Sequence, residues 1–339
     1  MKRRNIKVLN GLIICSMITF FLLIHPCAIN TSGKECVKDG KFTIERGVVE
    51  SPVKSTDCAD FVNLKTTTKY KGKTTTRYAY QQLNKKQKRL YNVFLRASND
   101  FQKNGRKSLS GRSGKYAFRI YFPKDSYSYK ETKKVVDSFR ADFSEFYWIY
   151  QQSYYTNPVN NKTNSVILYI RKGYASSAIR KKILLKMQKN MNFYKSGIRK
   201  NMTTAKREKL IHDRLCKKVK YQYGTSSSNS HTIVGALVEN RGVCETYART
   251  FSVILTHVGV PNNYIEGYVV KGSSVSLHAW NQVKVNKKWY NVDVTWNSGS
   301  RRNTYYNLLD HSFKKDHIIT GIYKHNGFKS KKCNGQKVQ

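Results

Sequence analysis

Two alternating stretches near the C-terminal end constrain the fold more than anything else in the sequence. His278 to Val285 and Lys288 to Trp296 each alternate in the manner of a strand. Between them lies Asn286-Lys287 alone. A two-residue connection needs left-handed backbone, which Asn adopts readily and Lys less readily than the usual Gly. Such a turn also fixes register. Val285 must pair with Lys288, so Trp280 faces Asp293 and His278 faces Thr295. His278 and Asp293 become diagonal neighbours on one face, roughly 7 Å apart at the backbone. An imidazole can span that gap to a carboxylate. A three-residue loop would put the two on opposite faces. Trp280, Trp289 and Trp296 fall on the same hairpin and are expected as core that keeps water from the pair.

Upstream stands Arg241-Gly242-Val243-Cys244-Glu245-Thr246-Tyr247-Ala248. After Cys244 the apolar residues Tyr247, Ala248, Phe251, Ile254, Leu255 and Val258 recur with helical period, and Gly259 and Pro261 supply the stop. Cys244 is therefore expected in the first turn of a buried helix, where the positive end of the helix favours a thiolate. A thiol nucleophile needs a base, and the base needs a group that fixes its tautomer. Cys244, His278 and Asp293 supply these in order. His278 alone among the eight histidines has both a strand and a diagonal acid. His212 and Asp213, adjacent on a helix, are expected to point apart, with His212 structural; His231 lies in a loop without an evident carboxylate partner.

Gly-Val-Cys-Glu-x-Tyr-Ala at 242–248, His-Ala-Trp-Asn at 278–281 and Trp-Tyr-x-Val-Asp-x-Thr-Trp at 289–296 resemble the bacterial transglutaminase-like proteins, relatives of the papain-like thiol enzymes. Ile211 to Leu215, Val219-Lys220-Tyr221, Gly235 to Val238, Tyr305 to Leu309 and Asp316-His317 extend the likeness, which is clear over about 205–320. The resemblance implies an α+β fold: a papain-like core with the nucleophile helix packed on an antiparallel sheet. To this we add a mainly helical N-terminal lobe. It also implies Cys244 as nucleophile, His278 as base and Asp293 as the acid that orients it. The reaction it implies is acyl transfer at amide or peptide bonds of a protein or peptide through a Cys thioester. Hydrolysis is favoured over amine transfer, because the chain has few acids and no cluster able to hold calcium. The backbone N–H of Cys244 is an expected oxyanion donor, with Gln222, Tyr221 and Tyr223 as side-chain candidates. A silent site on the same shell is the alternative.

The remaining sequence sets the organisation. Residues 1–30, with a basic start and an apolar run from Leu12 to Ile24, read as a signal peptide or an uncleaved membrane anchor. Residues 31–77 are expected as an extracytoplasmic segment ending in a Lys/Thr-rich linker, where Lys-Thr-Thr-Thr occurs twice. A lobe over 78–202 carries helices at 83–101, 131–150 and 177–194 and strands at 116–122 and 165–171; the catalytic unit spans 203–325 and a basic tail 326–339. Lys and Arg number 63 against 20 acids, a net charge of +43. That excess predicts salt-sensitive attraction to anionic envelope polymers at a secreted or cell-surface location. Nucleic acid is not expected, because no zinc module, phosphate loop or aromatic–basic sheet motif accompanies the charge. Of the seven cysteines, Cys36, Cys58, Cys216 and Cys333 are left for bridges, Cys36 with Cys58 being the natural local pair. Their spacing fits no zinc site, so neither metal nor cofactor is expected.

Overall fold

The computed structural model describes residues 33–199, 201–224, 227–300, 303–319 and 329–334. The expected signal or anchor at 1–30 lies outside them. Among the described residues no helix is long and apolar enough to cross a membrane.

The N-terminal part runs β1 (Lys34–Asp39), β2 (Phe42–Gly47), β3 (Thr67–Tyr70), β4 (Lys73–Thr76), α1 (Tyr78–Gln81), α2 (Lys85–Lys103), β5 (Leu109–Gly111), β6 (Gly114–Tyr121), α3 (Tyr129–Asp142), β7 (Ile149–Thr156), β8 (Thr163–Ile170) and α4 (Ser177–Lys195). Helices and an antiparallel sheet share it. Strands β1-β2-β6-β8-β7 form one antiparallel sheet, with β5 also paired to β6. The strands expected at 116–122 and 165–171 are β6 and β8; two features of the sequence hid the others. The charges on β1 and β2 mask their alternation, and the aromatic run after Asp142 continues the helical stripe of α3 although the chain leaves the helix there. Capping boxes Asn84/Gln87 and Ser128/Glu131 fix where α2 and α3 begin. The expected linker is a β-hairpin: β3 pairs with β4, and Tyr70 lies against Gly259 at the end of the nucleophile helix. Gly259 has φ +66°, and a Cβ there would lie 2.3 Å from that of Tyr70, so the close approach requires glycine.

The second part runs α5 (Thr204–Lys218), β9 (Lys220–Tyr221), a single π-turn (Gly235–Glu239), β10 (Arg241–Gly242), α6 (Cys244–His257), β11 (Asn262–Lys271), β12 (Ser274–Val285), β13 (Lys288–Val292), α7 (Val294–Ser300), α8 (Asp310–Phe313) and β14 (His317–Ile319). The sheet order is β13-β12-β11-β14, antiparallel throughout, and α6 packs on β11 and β12. The whole expected stripe of α6 is buried. One apolar cluster runs through both parts, from Phe94 and Phe139 to Phe251 and Trp280. The chain is thus α+β, with α6, the helix that begins at Cys244, laid on an antiparallel sheet. The described part of the tail folds back: Lys331 exchanges hydrogen bonds with Gln282, and Cys333 is fully buried.

The expected Cys36–Cys58 bridge is absent. Cys58, buried in the main core, is a free thiol, as are Cys216, Cys244 and Cys333. Cys36, on edge strand β1, is disulfide-bonded elsewhere.

Candidate active site

The hairpin turn carries the site. Asn286 and Lys287 both have positive φ, 47° and 69°, and Val285 pairs with Lys288 as the two-residue turn requires. Strand β13 stops at Val292, however, before the expected end at Trp296. Asp293 ends it: Oδ1 accepts from the backbone N–H of Thr295 (2.9 Å) and Trp296 (3.2 Å), which turns the chain into α7. Trp296 therefore lies on that short helix, not on the hairpin. Oδ2 remains free to meet His278 Nε2 at 2.8 Å. One carboxylate closes a helix end with one oxygen and holds the imidazole with the other.

The Cys244 side chain lies close enough to His278 to favour its imidazolium, after Asp293. Cys244 is the first residue of α6, half-buried against Ala141, Ala248, Tyr264 and Ala279. Burial disfavours the His278 imidazolium. The charge of Asp293, its hydrogen bond and the Cys244 side chain outweigh that and push the pKa up to about 10. Asp293 is wholly buried, which alone would raise its pKa. The charge of His278 and the bonds from His278 and His317 hold it well below the usual carboxylate range.

His317 is the residue the sequence did not single out. Its Nε2 lies 3.4 Å from Asp293 Oδ2 and its Nδ1 lies 2.5 Å from Asp316 Oδ1. Phe313 stacks on its ring at 3.9 Å between centroids, and Trp280, Trp296 and Tyr305 enclose the rest. Asp316-His317 stood in the sequence as part of the tail likeness, but β14 carries it to β11 across a long separation that no local pattern records. The ligand atoms of His278, Asp293 and His317 lie within 4.8 Å of one another, close enough to hold a metal ion. Binding one would withdraw His278 Nε2 from its bond to Asp293.

The other histidines sort as follows. His212 and Asp213 do not point apart: Nδ1 meets Asp213 Oδ1 at 2.9 Å, while Nε2 meets Asn297 at 2.9 Å and ties α5 to α7. His231 does have an acid, Glu245, at 3.0 Å. On the oxyanion side, the Cys244 N–H, first in its helix, has no intrahelical acceptor. The Gln222 backbone N–H donates to Gly242 O at 3.0 Å, which sets Gln222 beside the nucleophile loop. Tyr221 packs at a tilt against the exposed Tyr223, and burial followed by the charge of Cys244 raises its pKa. Gly242 allows close packing, since a Cβ there would lie 2.4 Å from Thr246 Oγ1. Thr246 in turn donates to Ser230 O.

Residues 192–294, which include all three expected site residues, match the Transglutaminase-like superfamily. No curated protein matches the chain. Three solved structures are similar to it at low identity. A TGase is 12% identical over 43% of this chain and 44% of its own, with a TM-score of 0.30. A proposed cysteine protease from Cytophaga hutchinsonii is 16% identical over 51% and 66%, TM-score 0.30. The periplasmic domain of TgpA from Pseudomonas aeruginosa is 11% identical over 58% and 79%, TM-score 0.24. The chain thus spans less than half of the first.

Proposed function

With a transglutaminase-like superfamily domain over residues 192–294 as the premise, we propose that the chain is a thiol acyl-transfer enzyme with Cys244, His278 and Asp293 as its catalytic residues. The observation that supports this reading best is the buried 2.8 Å His278–Asp293 hydrogen bond in an aromatic-walled site, with Cys244 heading α6 near enough to act on His278. With His278 held as the imidazolium, the thiol proton already resides on it, and the Cys244 thiolate attacks an amide carbonyl of a protein or peptide. The oxyanion is met by the Cys244 N–H, with Gln222, whose backbone bonds Gly242 O, as the side-chain candidate nearest that loop. The imidazolium then protonates the departing amine, and water resolves the thioester. Asp293, oriented by its two backbone bonds and by His317, keeps the imidazole in the productive tautomer. His317 is a positioning residue.

Hydrolysis is favoured over protein cross-linking, because acids are scarce, 20 in 339 residues. The test supplies a glutamine-containing peptide in chelator, with and without a tracer amine. Release of free acid is expected to outrun amine incorporation, and the reverse refutes the hydrolytic assignment. C244A is expected to abolish both reactions while staying folded, and H278A to be nearly as severe. Full turnover by C244A refutes the thiol mechanism itself.

The apolar N-terminal run and the charge of +43 support export and retention at an anionic envelope. Binding to teichoic or other anionic polymers should then fall steeply with salt; binding indifferent to salt refutes the charge argument.

A further inference from the structure

At the first turns of α6 lies a small cleft, lined by Glu245 though not by Cys244 itself, and walled further by the end of α3, the chain after β8 and the loop around His231. Three arginines reach it: Arg140, Arg171 and Arg249. They are not equivalent. Arg249 is fully engaged, with Nε at 2.7 Å from Glu245 Oε1 and its other nitrogens on Glu266, Arg140 O and Ser144. Arg140 and Arg171 have only neutral acceptors. Arg140 bonds Gln152 Oε1 at 2.7 Å and Tyr150 O at 3.1 Å. Arg171 bonds Ser228 O at 3.2 Å, and its buried Nε has no partner.

Guanidinium groups held half-buried without a carboxylate are costly unless something brings one. Glu245 cannot serve, since Arg249 and His231 occupy its two oxygens. Burial disfavours both cations; at Arg140 the charge of Arg249 adds to it, against Glu245 and Glu266, while at Arg171 the attraction of Glu245 is opposed by Arg140.

From this we infer that the cleft is a subsite for a carboxylate of the acyl donor, gripped by Arg140 and Arg171. The inference rests on the thiol-enzyme reading for the role of its neighbour Cys244. Position supports it. Glu245, on the cleft wall, follows Cys244 directly, and Ala141, next to Arg140, packs with Cys244. The planar fork of arginine matches a carboxylate with two parallel bonds. A single negative charge suits the site better than a dianion, because Glu245 stands at the same wall. The carboxylate is either an Asp/Glu side chain or the end of a peptide chain.

The test uses the full chain as C244A, so that binding is read without turnover. Three fluorescein-labelled heptapeptides are compared by anisotropy at moderate salt: glutamine-containing and amidated, the same with one Glu, and the same with a free C-terminal carboxylate. One of the two charged peptides is expected to bind at least about tenfold more tightly than the neutral one, and which one identifies the source. R171Q should remove that preference and leave the neutral peptide unaffected. R171K keeps the charge without the fork and should recover little; if R171Q fails to fold, R171K and R140Q carry the comparison. K182Q/K186Q, at exposed positions of α4, controls for the basic surface. Equal affinity for all three peptides overturns the subsite, as does a loss in K182Q/K186Q equal to that in R171Q. Thiol alkylation and turnover are untouched by that outcome, so the subsite and the mechanism fail separately.

Discussion

Replacing Asp293 by Asn changes one atom and tests the whole arrangement. Oδ1 still accepts from Thr295 and Trp296, so α7 keeps its start. At the other oxygen an NH₂ now points at the Nε2 atoms of both His278 and His317. His278 must then accept at Nε2, which moves its proton to Nδ1, on the side of Cys244, and spoils it as a base. The magnitude follows from the raised pKa. A rise from 6.5 to about 10 corresponds to ~5 kcal/mol between the protonation states at about 1.36 kcal/mol per unit. Asp293 leads the raising causes, ahead of Cys244, so we assign it ~2–4 kcal/mol, on the order of 10²–10³ in the protonation equilibrium. Stability moves with it. The His278 contribution is complete below its ordinary value of 6.5 and is lost as pH rises through about 10; the Asp293 contribution is present above 3.8 and is lost as pH falls toward its depressed value. D293N should lose both near neutrality. The assay is an NMR titration of ¹³C-labelled histidine, with the His278 resonance assigned by its absence in H278Q. The wild-type signal should hold the imidazolium shift past pH 9, and D293N should titrate several units lower. Alkylation at pH 7 gives a second reading, because burial pushes Cys58 up to about 11 and Cys216 and Cys333 to about 12, leaving them slow. A D293N protein whose His278 still titrates near 10 refutes the reasoning.

Two further outcomes are expected. His317→Ala should lower kcat about tenfold with KM little changed, and His317→Gln, which keeps an N–H for Asp293, should recover part of the loss; wild-type kcat and pH profile in His317→Ala would show His317 to be packing only. Glu208, wholly buried on Tyr306 OH (2.7 Å) and Asn307 (3.0 Å), has its pKa pushed up by burial to about 7. The cost of ionising it is absent below its ordinary 4.5 and complete above about 7, on the order of 3 kcal/mol; Glu208→Gln should therefore raise Tm at pH 8 and not at pH 4, and an equal shift at both values counts against this assignment.

What the sequence made legible was local. Fifteen residues separate His278 from Asp293, and one turn sets their register, so counting alone brings them to one face. The stripe behind Cys244 placed α6 equally well. The missed elements are those settled by partners far along the chain. His317 reaches Asp293 only because β14 joins β11, and β2, with β1 hairpinned to its other edge, is fixed by pairing onto β6. The early end of β13 was missed for a different reason: Asp293 caps a helix whose residues, Val-Thr-Trp, read as strand. Propensity lost there to two backbone hydrogen bonds.

The hairpin of Lys-Thr-Thr-Thr repeats bears on how this protein can be shortened. Its composition invites a cut before Tyr78, which would discard it as a tether. In the fold, Tyr70 lies between Gly259 and the Arg207 guanidinium, 4.3 Å from its ring. A fragment begun at Tyr78 would uncover the far end of the nucleophile helix. Loss of β2 would also strip the hydrogen-bonding edge of β6 at Phe118–Tyr121. A bare strand edge recruits other chains. Such a fragment should precipitate rather than behave as a trimmed enzyme, and a protease that nicks the repeats would inactivate by aggregation without touching Cys244.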